Sequence, residues 1–260
     1  NNGKRVQTFS TSGGLFEKGE LLILVDEDSA SASEVVAGAV QDNDRGLIIG
    51  RRTFGKGLVQ QQMPLGQGDQ VRLTTARYYT PTGRSIQRPY DSSSRVDYYD
   101  EVRKRHQSGE MSDPSKIPIN DSLIFTTPKG KTVYGGGGIT PDIYVTSQET
   151  GDEVWNDYLI GSNLIDLFVF LELDKNTRNF NFDNKRKFLN EELPNPDQFI
   201  EAFGEFCKKN NIPIKVTIKN KENILNSIKA FIALQVYGEN TYFKIVNQND
   251  KFMIRAMELE

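Results

Sequence analysis

The chain has 260 residues and an almost balanced charge, with 32 basic residues, 35 acidic residues and a net charge of −3. This length allows one or two domains with a substantial core. Without a basic stripe the charge gives no support to nucleic-acid binding, and no apolar run reaches the ~18 residues of a membrane span. The single cysteine excludes an internal disulfide. No His/Cys cluster indicates a metal site, and we expect no cofactor.

The first predicted elements are a strand and a short helix. Residues 21–25 form an apolar run whose length and β-branched content predict a buried strand. A helix follows at 33–42, where Gly38 indicates close packing because glycine costs about 1 kcal/mol against alanine in a helix interior. Ser31 falls in the turn between them. Backbone N–H groups at a helix start can stabilise negative charge on a substrate oxygen, so this serine is a candidate nucleophile.

The same serine also fits a purely structural pattern. Ser31 and Glu34 have the spacing of a capping box, in which the two side chains satisfy free N–H groups at the helix start. For an isolated serine this is the commoner situation. On the local sequence, Ser31 is therefore either a helix cap or a nucleophile.

Lys56 lies between Gly55 and Gly57, 25 positions after Ser31. A lysine can take a proton from serine only when it is neutral, and burial in an apolar pocket favours the neutral form. The flanking glycines permit the backbone angles and close approach that a tight site needs. The only histidine, His106, lies in a charged run, so the sequence favours a serine–lysine pair over a Ser-His-Asp triad. An exposed glycine turn is the alternative for Lys56.

Residues 50–56 also satisfy the GxxxxGK pattern of phosphate-binding loops, after an apolar strand at 47–49. Three features disfavour this nucleotide-binding alternative. Gly57 stands where the magnesium-binding Ser or Thr belongs, and residues 58–64 look extended rather than helical. The apolar run that ends at Asp26 precedes the loop, which is the reverse of the usual order.

The middle of the chain is polar. Residues 90–135 are rich in serine, tyrosine and charged side chains, and we interpret them as an insertion that forms a mobile surface loop rather than a lid. The chain then returns to a strand at 143–145. We predict a first domain over residues 1–148, with the insertion near 90–135, and a second domain over 149–260.

The second predicted domain is mainly helical. Asn195 followed by Pro196 predicts a helix start, and the helix should run to about Lys209. Cys207 lies on the apolar face of this helix, which indicates a core position. Apolar residues recur at helical spacing over 224–232 and predict a second core helix rather than a partner-binding face.

The segment from Ser29 to Gln60, SASASEVVAGAVQDNDRGLIIGRRTFGKGLVQ, resembles the signature of carboxy-terminal processing peptidases, also called tail-specific proteases. Further motifs follow in order at 73–87 and 137–142. The resemblance implies an α/β fold, with the mixed sheets and helices of a tail-specific protease core and a mainly helical carboxy-terminal region. It implies a serine endopeptidase that processes proteins near their carboxy termini through an acyl-enzyme. A non-catalytic binding module on the same fold stays open as the alternative.

The resemblance also implies roles for individual residues. Ser31 takes the place of the nucleophile and Lys56 that of the general base, while Gln60 matches a position that helps orient the lysine. Asp42 matches an acidic position that is important in only part of the family, which gives it an accessory role. The N–H of Ala32 would supply one half of the oxyanion hole.

Two parts of the family pattern do not occur before Ser29. One is a strand with a DLRxNxGG-like motif, whose glycine supplies the other oxyanion N–H, and the second is a PDZ domain. We therefore expect a fragment cut inside the protease domain, with little or no peptidase activity. The resemblance further implies protein or peptide substrates with exposed carboxy termini and a cell-envelope or periplasmic location for the parent protein, and it allows a homo-oligomer.

Overall fold

The computed structural model describes residues 7–89, 100–147, 163–175, 184–213, 216–218 and 220–259. The chain divides into two compact units. The first unit comprises Asn1–Val102 and Pro118–Tyr144, and the second comprises Arg103–Ile117 and Val145–Glu260. The boundary predicted at residue 148 stays a prediction.

A three-stranded parallel sheet organises the first unit. Its strands, in spatial order, are β1 (Leu22–Val25), β2 (Leu47–Gly50) and β7 (Ile143–Tyr144). Helix α1 (Ala32–Asp42) connects β1 to β2, as a crossover between parallel strands must. β1 and β2 pair in register along their whole length, so their carboxyl ends meet at one edge of the sheet. These elements confirm the strands and the helix predicted from the sequence, but the burial expected for β1 is wrong, because only Val25 is buried and Leu24 is 38% exposed.

The small core of the first unit is apolar and tightly packed. Its fully or almost fully buried members are Val25, Ala37, Ile48, Ile86 and Ile139. A Cβ at Gly38 would lie 2.8 Å from Thr80 Cγ2 and 3.1 Å from Ile139 Cδ1. The close packing predicted around this glycine is therefore confirmed.

Two antiparallel hairpins also lie in the described part of the first unit. The longer hairpin consists of β3 (Leu58–Gly66) and β4 (Asp69–Arg77), and the shorter one of β5 (Ile124–Thr126) and β6 (Thr132–Tyr134). β3 begins directly after the loop that carries Lys56. The extended conformation predicted for 58–64 is thus confirmed.

The loop predicted over 90–135 is wrong for the part that the structure describes. Residues 90–99 lie outside the described residues. From residue 100 onward the chain forms α2 (Glu101–Ser108), two short 3₁₀ turns and the β5–β6 hairpin. The sequence concealed α2 because Arg105 is its only buried residue, so the helix has no apolar stripe. The 3₁₀ turns Pro114–Lys116 and Asp121–Leu123 are capped by Asp113 and Asn120, whose side chains accept the N–H groups of Ser115 and Ser122.

Helices form the second unit around one apolar core. In the residues that the structure describes, this unit contains most of α2 together with α3 (Leu164–Lys175), α4 (Lys185–Asn190), α5 (Pro196–Lys209), α6 (Lys221–Tyr237), α7 (Glu239–Val246) and α8 (Lys251–Met257). Pro196 is the first residue of α5, and the stripe over 224–232 contributes Ile224, Ile228 and Phe231 to the core. Both predicted helices are confirmed. No helix in the described ranges is long and apolar enough to span a membrane.

Cys207 is 1% exposed and lies in the core, as predicted. Burial raises the pKa of its thiol to about 11. The first unit contains both sheets and helices, and the second unit is mainly helical. This secondary-structure content confirms the predicted fold class.

Candidate active site

The turn after β1 and the loop after β2 lie at the same edge of the parallel sheet. Ser31 belongs to the turn and Lys56 to the loop. In open α/β sheets the carboxyl ends of parallel strands are the usual place for a ligand site. The N–H of Phe54 donates to the carbonyl of Ser29 at 2.9 Å, which ties the loop directly to the turn.

Ser31 has an unusual backbone conformation, with φ 60° and ψ −117°. Side-chain sterics disfavour this combination for any residue with a Cβ, and such strain costs about 1–3 kcal/mol. A sharp, strained turn between strand and helix also presents the nucleophilic serine in α/β-hydrolases. Ala32 follows as the first residue of α1 and is exposed, so its N–H is one of the four that no carbonyl of the helix accepts.

The turn before Ser31 is fixed by a single aspartate. Asp26 Oδ1 accepts hydrogen bonds from the N–H of Asp28 at 3.1 Å, the N–H of Ser29 at 2.9 Å and the hydroxyl of Ser29 at 2.8 Å. The N–H of Ser29 also donates to the carbonyl of Asp26 at 3.2 Å, so the side chain adds to a backbone turn. The strained serine therefore follows a well-anchored segment.

The residues on either side of Lys56 must be glycines because other parts of the chain pack closely against their backbone. Gly55 has φ 89°, and a Cβ there would lie 3.2 Å from the nitrogen of Gly138. A Cβ at Gly57 would lie 2.7 Å from Ile86 Cγ1 and 2.9 Å from the nitrogen of Gln87. The reasons predicted for these glycines are thus confirmed. The loop continues into a strand and not into a helix, so it does not form the phosphate-binding loop of the nucleotide alternative.

A buried carboxylate joins the turn to the loop. Glu34 is 0% exposed and accepts four hydrogen bonds. Its Oε2 accepts the N–H groups of Ser31 at 2.9 Å and Lys56 at 2.8 Å. Its Oε1 accepts the hydroxyl of Thr53 at 2.5 Å and the N–H of Gly55 at 2.7 Å. The two segments therefore share one acceptor group in the interior.

The sequence pattern predicts for Glu34 only the role of Ser31's partner in a capping box. The bond from the Ser31 N–H to Glu34 is half of that motif, but three further donors come from the loop after β2. A signal was present in the sequence. Glu34 lies one helical turn before Ala37 and Gly38 and two before Gln41, on the buried face of α1. A carboxylate on such a face must find donors from another part of the chain.

The structure brings the backbones of Ser31 and Lys56 together without a bond between their side chains. Both residues are half-buried, and in the described part of the chain no hydrogen bond joins Ser31 Oγ to Lys56 Nζ. Gln60 is exposed on β3, where the pairing with β4 shifts register, and no described hydrogen bond links it to Lys56. The chemical roles of Ser31, Lys56, Gln60 and Ala32 stay predictions.

Asp42 lies at the far end of α1 from Ser31, about 16 Å along a helix that rises 1.5 Å per residue. Its Oδ1 accepts hydrogen bonds from two atoms of Arg84, Nε at 3.0 Å and Nη2 at 2.6 Å. Its Oδ2 accepts the N–H of Thr82 at 3.1 Å and the hydroxyl at 2.6 Å. Burial raises the pKa of Asp42, but hydrogen bonds from Thr80, Thr82 and Arg84 and the charge of Arg84 outweigh it, so the pKa lies below its usual value.

A cavity of about 940 Å³ opens in the first unit. Its lining includes Arg52 and Leu58, which stand at the two ends of the Lys56 loop, together with Arg88 and Glu101. Apolar and charged groups therefore both face this space. Among the residues that the structure describes, no group of three or more His, Cys, Asp and Glu side chains could hold a metal ion.

Comparison with known proteins gives two family matches. Residues 1–91 match peptidase family S41, and residues 155–238 match a family of unknown function, DUF8443. Among solved structures, the photosystem II D1 C-terminal processing protease is 33% identical, with a TM-score of 0.29, over 49% of this chain and 20% of that one.

Curated relatives are carboxy-terminal processing proteases of bacteria and chloroplasts. The protease of Bartonella bacilliformis is 55% identical over 75 residues, which cover 29% of this chain and 17% of the relative. The chloroplastic peptidase of Tetradesmus obliquus is 56% identical over 66 residues, 25% of this chain and 14% of the relative. CtpB of Bacillus subtilis is 32% identical over 108 residues, which cover 39% of this chain and 21% of the relative.

The chain thus spans only about a fifth or less of the length of these relatives. The matched part nevertheless contains the strand, turn, helix and loop that carry Ser31, Glu34 and Lys56. Residues 1–91 match the model of peptidase family S41, and over this part the chain is similar to carboxy-terminal processing proteases.

Proposed function

We propose that the protein is a serine endopeptidase in which Ser31 is the nucleophile and Lys56 the general base. The observation that carries this proposal is the shared carboxylate oxygen that holds both backbones at the carboxyl edge of the sheet. The strained backbone of Ser31 and the start of α1 at Ala32 support it. Ser31 also caps α1 and forms the capping box with Glu34, but a capping serine does not need this strained backbone.

The chemistry follows from these positions. Ser31 Oγ attacks the carbonyl carbon of the scissile bond while its proton passes to the neutral Nζ of Lys56. The N–H of Ala32 donates to the oxyanion that forms. The protonated Lys56 then gives its proton to the leaving amine, and water hydrolyses the acyl-enzyme. In this scheme Gln60 orients Lys56 and Asp42 has an accessory role.

The proposed substrates are proteins or peptides with exposed carboxy termini. The names of the curated relatives support this class, since they describe carboxy-terminal processing. The cavity between Arg52 and Leu58 offers apolar and cationic groups beside the Lys56 loop. By the same analogy we propose a location in the cell envelope or periplasm, which fractionation of cells with an antibody would test.

Labelling with a serine-directed fluorophosphonate tests the proposal on the complete protein. We expect label on Ser31, no label on Ser31→Ala, and a loss of both labelling and peptide cleavage in Lys56→Arg. Arginine keeps the positive charge but has no accessible neutral state. Lys18→Arg is the matched control, because Lys18 is exposed and should leave both readouts unchanged. Near-normal cleavage by a folded Lys56→Arg or Ser31→Ala protein would overturn the assignment and favour the non-catalytic binding module.

A further inference from the structure

The hydrogen bonds of Glu34 control the approach of the two residues that the proposed mechanism uses. Its Oε2 accepts the N–H of Ser31 at 2.9 Å and the N–H of Lys56 at 2.8 Å. Because one atom accepts both, the two backbone nitrogens can be no further apart than these two distances combined. Within the described ranges, no other side chain bonds to both residues.

The second oxygen of Glu34 fixes the loop itself. Oε1 accepts the Thr53 hydroxyl and the N–H of Gly55. The Thr53 oxygen in turn accepts the N–H of Ile139, a residue of the first unit's core, at 2.7 Å. The loop is therefore attached at three points to one fully buried carboxylate. A carboxylate offers about four acceptor sites, and four donors occupy them here.

We propose that Glu34 is a positioning residue that sets the relative placement of Ser31 and Lys56 through their backbones. The inference rests on the proposed serine–lysine function. Four donors of the chain itself occupy both oxygens of Glu34, so we expect it to act on the reaction through the residues that it holds. An ionised carboxylate suits this role because it accepts on both oxygens and forms shorter, stronger hydrogen bonds with N–H groups than a neutral acceptor does.

Glu34→Gln is the sharpest substitution. An amide has one oxygen and one NH₂ group, so in either orientation two of the four donors meet another donor. We expect kcat to fall about 100-fold, since a displacement of about 1 Å in a catalytic group can cost that much. KM should stay close to its original value because the substrate contacts are not altered. The rate of fluorophosphonate labelling should fall with kcat.

Two further measurements keep the proposal testable where the glutamine variant does not fold. Glu34→Asp keeps the charge but is one methylene shorter, so it should also lower kcat at constant KM. In the unsubstituted protein, the amide hydrogens of Ser31 and Lys56 should exchange slowly with deuterium although both residues are half-buried. Fast exchange of these two amides would show that the bonds to Glu34 do not persist, and would overturn the proposal.

Gln41→Ala is the matched control for a merely structural effect. Gln41 is buried on the same face of α1 and bonds to the Thr140 carbonyl and to Asp142, away from the Lys56 loop. We expect it to lower the melting temperature but to leave kcat of the folded protein unchanged. The positioning role is refuted if folded Glu34 variants keep normal kcat while Ser31→Ala is inactive. Normal turnover in Ser31→Ala would instead refute the proposed serine–lysine dyad.

Discussion

The buried pair of Asp42 and Arg84 predicts a large loss of stability on a nearly isosteric substitution. Both side chains are 0% exposed, and Arg84 Nη2 lies 2.6 Å from Asp42 Oδ1. In Asp42→Asn the charge disappears and an NH₂ group faces donors from Arg84 or Thr82. The guanidinium of Arg84 then stays in the interior without its counter-ion.

The size of the stability loss in Asp42→Asn depends on the hydrogen-bond acceptors that Arg84 keeps. Breaking a buried ion pair by removing one partner costs about 3–5 kcal/mol. Arg84 would still donate to Gln41 Oε1 at 2.6 Å and to the carbonyl of Tyr134 at 2.7 Å. These neutral acceptors offset part of the cost, so we expect a loss near the lower limit, about 3 kcal/mol.

Hydrogen exchange in increasing urea measures this loss in the first unit alone. The amide of Ile49, a fully buried residue of β2, is a suitable probe. Asp44→Asn is the matched control, because Asp44 is more exposed than Asp42 and its substitution should cost clearly less. The double variant Asp42→Asn with Arg84→Met should recover part of the loss. A loss below about 1 kcal/mol in Asp42→Asn would refute the reasoning.

The same pair predicts a dependence on pH. Hydrogen bonds and the Arg84 charge hold the pKa of Asp42 below the unfolded value of about 3.9. A depressed folded pKa gives stability that is fully present above the unfolded pKa and is lost as pH falls through the folded pKa. The difference in stability between the unsubstituted protein and Asp42→Asn should therefore shrink as pH falls below about 3.9. A difference that stays constant through this range would contradict the assignment.

Three further predictions concern packing. Gly57→Ala should destabilise the first unit by about 1–3 kcal/mol and lower labelling of Ser31, because its Cβ would meet Ile86 and the backbone of Gln87; an unchanged exchange profile would contradict this. Gly204→Ala in α5 should stabilise the second unit by about 1 kcal/mol in calorimetry, since open space surrounds it. Cys207 should react with maleimide only after unfolding, because its thiol is buried and its pKa is raised to about 11.

The sequence predicted those elements that carry a simple apolar pattern. The strand at β1 is a continuous apolar run, and the helix at α1 and the stripe over 224–232 carry apolar residues at helix spacing. Helix α2 escaped prediction because its buried position is an arginine, Arg105, and not an apolar residue. Strands of three residues such as β5 are shorter than the window in which alternation can be recognised.

The polar contacts of the site could not be derived from spacing, because their partners lie far apart in the chain. Glu34 meets Thr53 and Gly55 about twenty residues later, and Asp42 meets Arg84 forty-two residues later. Glu34 and Asp42 occupy buried positions of α1. Because a buried carboxylate needs hydrogen-bond donors, the sequence can indicate that such partners exist, but not which residues they are. The two carboxylates then differ in what they hold. Glu34 joins the turn and the loop that carry Ser31 and Lys56, whereas Asp42 neutralises a buried arginine at the opposite end of the helix. Substitution of Asp42 should therefore act on catalysis through stability, and substitution of Glu34 through geometry.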